Sequence, residues 1–347
     1  MNSVSVTDRS GRQVEFVTKP GERILHAGLL AGVGLPFECA SGTCGACKAR
    51  WLAGDVTDLW PKAPGRKVIR APDEILMCQT SCTSPTELEL RGSFALPPEP
   101  SVQRLQGVLR RVNFLTDEVA LFELDLDAPI DCLPGQFALL GVDDAPGFRA
   151  YSMTRYSPNV ARLNFLVRKL PGGGFSSVLF APAFEPRQIK VIAPLGRAVF
   201  RPEERRPFLA IAGGSGIAGM LSILDCAERV GHYIDCPSEV VFGLRDPTSA
   251  YVLDVLDEAA KASGGALSIT VAFSHSEPSS VLLRQYPNLR FTAGFVHQIA
   301  MDRADHMRDR EPTYFVAGPP PMVDATIRGL VVDRKISPTE IRYDRFG

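Results

Sequence analysis

Cys39, Cys44 and Cys47 sit in the run CASGTCGAC, and a fourth cysteine, Cys78, follows in LMCQT. Thiolates are soft ligands, and C-x4-C-x2-C with a distant fourth cysteine is a spacing that holds a [2Fe–2S] cluster. The reason is compactness: three thiolates reach one cluster only if the chain wraps tightly, and Gly42 and Gly45 permit this because they carry no Cβ. Backbone N–H groups from Ser41 to Ala46 would then point at sulfur and tune the potential. Zinc is the competing metal, but zinc sites usually pair two C-x2-C units, and only one pair here has that spacing. Cys82, Cys132, Cys226 and Cys236 read as small buried residues, with Cys82 the one rival to Cys78 as fourth ligand.

Three further segments suit phosphate and nucleotide chemistry. In LVRKLPGGGFSS, Gly172 to Gly174 let backbone approach an anion, and a helix starting near Phe175 would offer free N–H groups, with the Ser176 hydroxyl beside them. A plain hairpin turn is the alternative for that segment. FLAIAGGSGIAG sets a glycine-rich turn directly after a buried strand, and Gly214, Gly216 and Gly219 satisfy G-x-G-x-x-G. That motif requires an acidic residue near the end of the next strand. The next strand ends in Phe242-Gly243-Leu244-Arg245 without a carboxylate, so a standard Rossmann site is not expected. FVAGPPPM reads as a strand followed by a proline-rich loop.

The elements that carry these segments change character along the chain. Alternation in Ser3–Val6 and Gln13–Val17 predicts two strands around a Ser10-Gly11 turn, and Ile24, Leu25, Leu29 and Leu30 have helical spacing. FALPPEPSVQ has the proline content of a linker. Between 104 and 200, strand-like runs (108–112, 119–124, 137–142, 163–167, 188–191) broken by proline and glycine predict an antiparallel sheet or barrel. From Phe208 onward, strand, glycine turn, helix and strand alternate, which predicts a parallel α/β unit. The 347 residues allow two or three such domains. A net charge of -1 disfavours nucleic-acid binding, which needs a basic surface. No apolar run is long enough to span a bilayer, and the N-terminus lacks the pattern of a signal peptide, so a cytoplasmic location is expected.

Taken together, the cysteine spacing and the nucleotide segments resemble the reductase components of bacterial multicomponent oxygenases, including those of aromatic-ring dioxygenases and of toluene and xylene monooxygenases. The resemblance implies a β-grasp, plant-type ferredoxin domain over 1–92, a linker over 93–103, an FAD-binding antiparallel β-barrel over 104–203 and a parallel α/β NAD-binding domain over 204–347. RAYSM matches the family's R-x-Y-S flavin motif. Arg149 would then pair with the flavin pyrophosphate, Tyr151 would pack on the isoalloxazine, and Ser152 would hydrogen-bond near N5, where hydride arrives. The family's second flavin stretch maps onto Val167, Arg168, Gly173, Gly174, Phe175 and Ser176. Its nicotinamide motif G-G-[ST]-G maps onto Gly213, Gly214, Ser215 and Gly216, with Gly219 where proline is usual.

The segment C-G-P-P-x-M maps onto Ala317, Gly318, Pro319 and Met322, with Ala317 replacing the usual cysteine, a change that bears on rate rather than on binding. NADPH-using relatives often carry Ser-Arg where this chain has Ser274-His275, which favours NADH, with Arg245 as a substitute cation. Phe346, in the final IRYDRFG, is the candidate aromatic cover for the flavin; a frayed tail is the alternative.

The implied reaction is electron transfer from NADH through FAD and the [2Fe–2S] cluster to a terminal oxygenase component or an intermediate ferredoxin, by a monomer. FMN is the alternative flavin. A reductase for deoxysugar dehydration and a ferredoxin-type carrier or redox sensor are the rival functions.

Overall fold

The computed structural model describes residues 1–143 and 145–346. At its N-terminal end, a five-stranded mixed sheet runs in the order Gln13–Thr18, Asn2–Thr7, Thr86–Glu89, Lys48–Ala53, Glu74–Leu76. Val4 and Val6 point inward and are wholly buried, while Ser3 and Ser5 alternate outward. Helix Ile24–Leu30 covers this sheet through buried Ile24, Leu25 and Leu29. Gly28 lies so close to Leu35 and Phe16 that a Cβ there would collide with the Leu35 side chain.

The middle of the chain forms six antiparallel strands in the order Ala145–Ser152, Phe137–Val142, Arg187–Leu195, Gln103–Thr116, Val119–Ile130, Val160–Arg168. The sheet curls until its two ends meet at a single bridge, Met153 to Phe165. It is a curled antiparallel half-barrel, in keeping with the antiparallel sheet or barrel expected from the sequence. Bulges between Arg111 and Asn113 and between Phe114 and Thr116 bend the long first hairpin and supply the curl.

The C-terminal sheet is six-stranded and wholly parallel: Leu289–Ala293, Leu267–Phe273, Ser238–Leu244, Phe208–Gly213, Thr313–Gly318, Ile341–Arg345. Strand order reverses between Phe208–Gly213 and Thr313–Gly318. At such a switch point the loops leaving the carboxyl ends diverge and open a crevice for ligand.

The three sheets are not independent bodies. One hydrophobic cluster joins Val4 and Leu76 of the first, and Leu25 of its covering helix, to Phe137, Leu139, Ile192 and Leu195 of the second. Between the second and third, the Gly135 N–H donates to Ser222 Oγ (2.8 Å) and the Tyr156 N–H to Asp225 Oδ2 (3.0 Å), both on helix Ile217–Arg229.

Candidate functional site

The loop between helix Ile24–Leu30 and strand Lys48–Ala53 carries three of the four predicted cysteine ligands; Cys78 comes from the short turn Met77–Gln79. The loop coils through left-handed residues Ala40 (φ 51°), Gly42 (φ 95°) and Gly45 (φ 83°). This coiling aims backbone N–H groups at sulfur. Ser41, Thr43 and Cys44 donate to Cys39 Sγ at 3.5, 3.4 and 3.4 Å, and Ala46 donates to Cys44 Sγ at 3.4 Å.

The thiols fall into two pairs, Cys39 with Cys44 and Cys47 with Cys78. The Cys44 thiol and the surrounding N–H groups hold Cys39 well below the usual thiol range, with Cys44 pushed up in return. A hydrogen bond with Cys78, and burial, push the Cys47 thiol up. Two cysteine pairs suit two irons better than one zinc, so the donor set fits a [2Fe–2S] cluster. Cys82 points elsewhere, with its Sγ 3.1 Å from Thr18 Oγ1.

Helix Ile24–Leu30 links this loop to the middle sheet. The His26 Nε2 lies 2.9 Å from the Ala40 carbonyl oxygen, and its ring meets Phe148 edge-on with centroids 5.4 Å apart. Burial pulls His26 down to about 3, so the ring is neutral and Nε2–H is the donor. Phe148 precedes Arg149 on strand Ala145–Ser152. The Arg149 guanidinium stands 4.7 Å over the Trp60 ring, donates to the Phe148 carbonyl (2.9 Å), and has no carboxylate partner among the described residues. The Arg23 guanidinium lies over the Phe148 ring at 5.8 Å, its Nε buried without a hydrogen-bond partner among the described residues.

On the same strand, half-buried Tyr151 packs on Phe175 at 5.7 Å, and buried Ser152 faces Gly219, whose built Cβ would lie 3.5 Å from the Ser152 Cβ. At this position, where proline is usual, the open space is ordinary rather than tight. Val167 and Phe175 are core residues, so only their backbone is free to meet a ligand. Helix Gly174–Leu179 begins directly after Gly173, but the Ser176 hydroxyl accepts the Leu170 N–H at 3.0 Å and so braces its own loop. Phe346 stacks edge-on against Phe137 at 5.2 Å, and Phe137 is the cross-strand partner of Ser152.

A cavity of about 710 Å³ opens at the switch point of the parallel sheet. Its lining includes Gly213, Gly214, Pro319 and Met322 together with Arg245, Asp246, Ser274 and His297. Two loops cross at its floor with almost no space between them. A Cβ on Gly216 would run into the Ala317 carbonyl, and one on Gly318 (φ 153°) would meet Met322. Ser215 is exposed beside the cavity, and Ala317 is buried beneath it. Arg168 is on the cavity wall, paired with Glu118 at 2.9 Å.

Asp246 is a residue the sequence reading passed over. It follows the strand by two positions, caps the turn Pro247–Ser249, and is held below its ordinary value by the Thr248 hydroxyl and the N–H groups of Ser249 and Thr248. Asp246 lies one residue beyond the Phe242–Arg245 stretch in which the dinucleotide motif seeks its carboxylate.

The final strand, Ile341–Arg345, ties the nucleotide sheet to the cluster loop. Tyr343 Oη donates to Glu38 Oε1 (3.1 Å), and Arg345 bridges Glu38 (3.6 Å) and Asp324 (3.3 Å). This segment is an ordered strand, not a frayed tail.

Comparison with known proteins decides what these three stations belong to. A 2Fe-2S iron-sulfur cluster binding domain matches residues 7–83, an oxidoreductase FAD-binding domain 106–200 and an oxidoreductase NAD-binding domain 210–328. A ferredoxin–NAD(P)+ reductase of Metapseudomonas resinovorans is 32% identical across 94% of this chain and 95% of its own length. The chain belongs to the ferredoxin–NAD(P)+ reductases. The ferredoxin–NAD+ reductase component of an alkene monooxygenase system from Xanthobacter autotrophicus is also 32% identical, across 95% of this chain and 97% of its own. The solved ferredoxin reductase in carbazole 1,9a-dioxygenase superposes with a TM-score of 0.83 at 27% identity, covering 100% of this chain and 99% of that one. This reductase is thus an NAD(P)H oxidoreductase whose groups are a [2Fe–2S] cluster, FAD and NAD(H). No helix among its described residues is long and apolar enough to cross a membrane.

Proposed function

We propose that this reductase is the NADH-dependent electron source of an oxygenase, in four segments: a cluster domain over 1–92, a linker over 93–103, a flavin domain over 104–203 and a nucleotide domain over 204–347, acting as a cytoplasmic monomer. The observation that carries the reading is continuity. The cluster loop meets the flavin strand through His26, which bonds the Ala40 carbonyl and contacts the Phe148 ring, and the flavin sheet meets the nucleotide cavity through Val119 and Arg168, which line it. FAD, when bound, takes two electrons as hydride and releases them singly, and a [2Fe–2S] cluster carries one at a time.

The protein's part is position and electrostatics. Cys39, Cys44, Cys47 and Cys78 hold the cluster. Arg149 serves the flavin pyrophosphate, a role supported by its lack of any carboxylate partner among the described residues. Tyr151 packs on the isoalloxazine, and Ser152 holds a hydrogen bond near its hydride-accepting nitrogen. The backbones of Val167, Gly173, Gly174 and Phe175 line the flavin phosphates, braced by Ser176, with Arg168 between flavin and nicotinamide nucleotide. Gly213 to Gly216 with Gly318, Pro319 and Met322 admit the nicotinamide, and Ala317 shapes the floor beneath it. Phe346, set on Phe137, closes the flavin side.

NADH is favoured over NADPH because Asp246 sits on the cavity wall beside Arg245. A 2′-phosphate there would face a fixed negative charge, partly cancelling the attraction of Arg245. Steady-state kinetics with both coenzymes test this. NADH is expected to have the higher kcat/KM, and Asp246→Asn, which keeps the turn cap, is expected to narrow the gap by about tenfold, roughly 1.4 kcal/mol. A preference for NADPH in the unaltered protein contradicts the assignment. The relatives named above serve dioxygenase and monooxygenase systems alike, and reconstitution with each kind of oxygenase distinguishes the acceptors.

A further inference from the structure

Electrons leave a buried cluster where a ligand comes nearest to solvent. Cys39, Cys47 and Cys78 are buried at 1%, 2% and 0% exposure, whereas Cys44 is half-buried, with half-buried Thr43 and Ala46 beside it. One segment rests directly on this face. The Gly65 N–H donates to the Gly42 carbonyl at 2.8 Å, and Val68 packs so closely that a Cβ on Gly45 would lie 2.6 Å from its Cγ2. The turn Pro64–Val68 is thereby fixed against the cluster loop rather than free to wander.

Its charge is one-sided. Between Asp58 and Asp73 the chain carries Lys62, Arg66, Lys67 and Arg70 and no carboxylate, in a protein whose net charge is -1. Arg66 is neutralised by Asp58. Lys62, Lys67 and Arg70 are exposed and form no ion pair among the described residues. The remaining acids nearby are already engaged: Glu74 with Lys48 and Arg91, and Asp73 with Arg50. A rigid cluster of unpaired cations at the rim of the exit face raises the local concentration of negatively charged partners and orients them before contact.

We propose that Lys62, Lys67 and Arg70 form the docking rim for the electron acceptor, and that the acceptor is a protein presenting an acidic surface to the Cys44 side of the cluster loop. This rests on the reductase reading above. The encounter is brief and salt-sensitive, as redox pairs with small interfaces are.

Two artificial acceptors of opposite charge test it without the physiological partner: native cytochrome c, which is basic, and succinylated cytochrome c, which is acidic. NADH-driven reduction of each is followed from about 0.01 to 0.2 M salt, a range over which screening becomes strong. The unaltered holoprotein is expected to reduce the succinylated form faster at low salt, with a fall of about tenfold or more as salt rises. Lys62→Glu/Lys67→Glu/Arg70→Glu is expected to invert the preference, and the triple glutamine variant to lie between. NADH–ferricyanide activity, FAD content and cluster absorbance are expected to stay unchanged in both variants. Equal salt profiles in the unaltered and triple-glutamate proteins overturn the proposal. So does loss of FAD or cluster from the glutamine variant, which would assign these cations to holding cofactors. Absence of NADH–ferricyanide activity in the unaltered protein would instead remove the reductase reading itself.

Discussion

His26 does two things with one ring. Its N–H fixes the carbonyl of Ala40, a non-glycine residue held at φ 51°, and its edge contacts Phe148 on the flavin strand. His26→Phe keeps the ring contact but leaves a buried carbonyl without its donor, a loss of about 1–3 kcal/mol. Denaturant unfolding is expected to register that loss. Cytochrome c reduction, which needs the cluster, is expected to fall while NADH–ferricyanide turnover, which needs only the flavin, is retained; equal loss of both would deny His26 a positioning role. Asp344 sets a pH dependence of a different kind. Burial first, and the nearby Glu38 charge second, raise its carboxyl from 3.8 to about 7. Between those values the native state keeps a proton that the unfolded state has released, so stability falls as pH rises through the window and levels off above about 7. The slope approaches about 1.4 kcal/mol per pH unit at most. Urea midpoints between about pH 4 and 8 are expected to show Asp344→Asn gaining on the unaltered protein as pH rises; a constant difference would mean that Asp344 titrates normally.

The nucleotide cavity depends on two loops that cross at backbone contact, and this close approach explains the glycines better than loop flexibility does. Gly216→Ala would force the Ala317 strand away and is expected to cost about 1–3 kcal/mol of stability and to raise the KM for NADH. Thermal melting together with initial-rate kinetics checks both, and an alanine variant that melts and binds normally would show that the loops have slack. These loops were legible in the sequence because a glycine turn between a buried strand and an apolar helix is a strong local pattern. The cysteine loop was legible for a similar reason, its spacing being dictated by metal geometry. The middle strands were placed but read short, 108–112 standing for Gln103–Thr116. Bulges there interrupt the alternation on which strand reading depends. Asp246 escaped because the Rossmann rule looks for its carboxylate at the strand end, whereas here it caps the turn that follows. The closing strand Ile341–Arg345 carries three charged residues in five, and a buried Asp344 among them defeats any apolar pattern.

Over the whole chain, the three sheets work as one because their junctions are built from different forces. An apolar core fuses the cluster region to the flavin sheet. Hydrogen bonds to Ser222 and Asp225 hold the flavin sheet on the nucleotide helix. The final strand returns from the nucleotide sheet to Glu38, next to Cys39. The three sheets are therefore linked in series by contacts between their own residues. This arrangement makes one measurement decisive: anaerobic addition of NADH to the purified holoprotein while the visible spectrum is recorded. The account predicts that flavin bands and the broad iron–sulfur absorbance both bleach, without any partner protein present. Bleaching of the flavin alone, with the iron–sulfur absorbance intact and the cluster still reducible by dithionite, would contradict it.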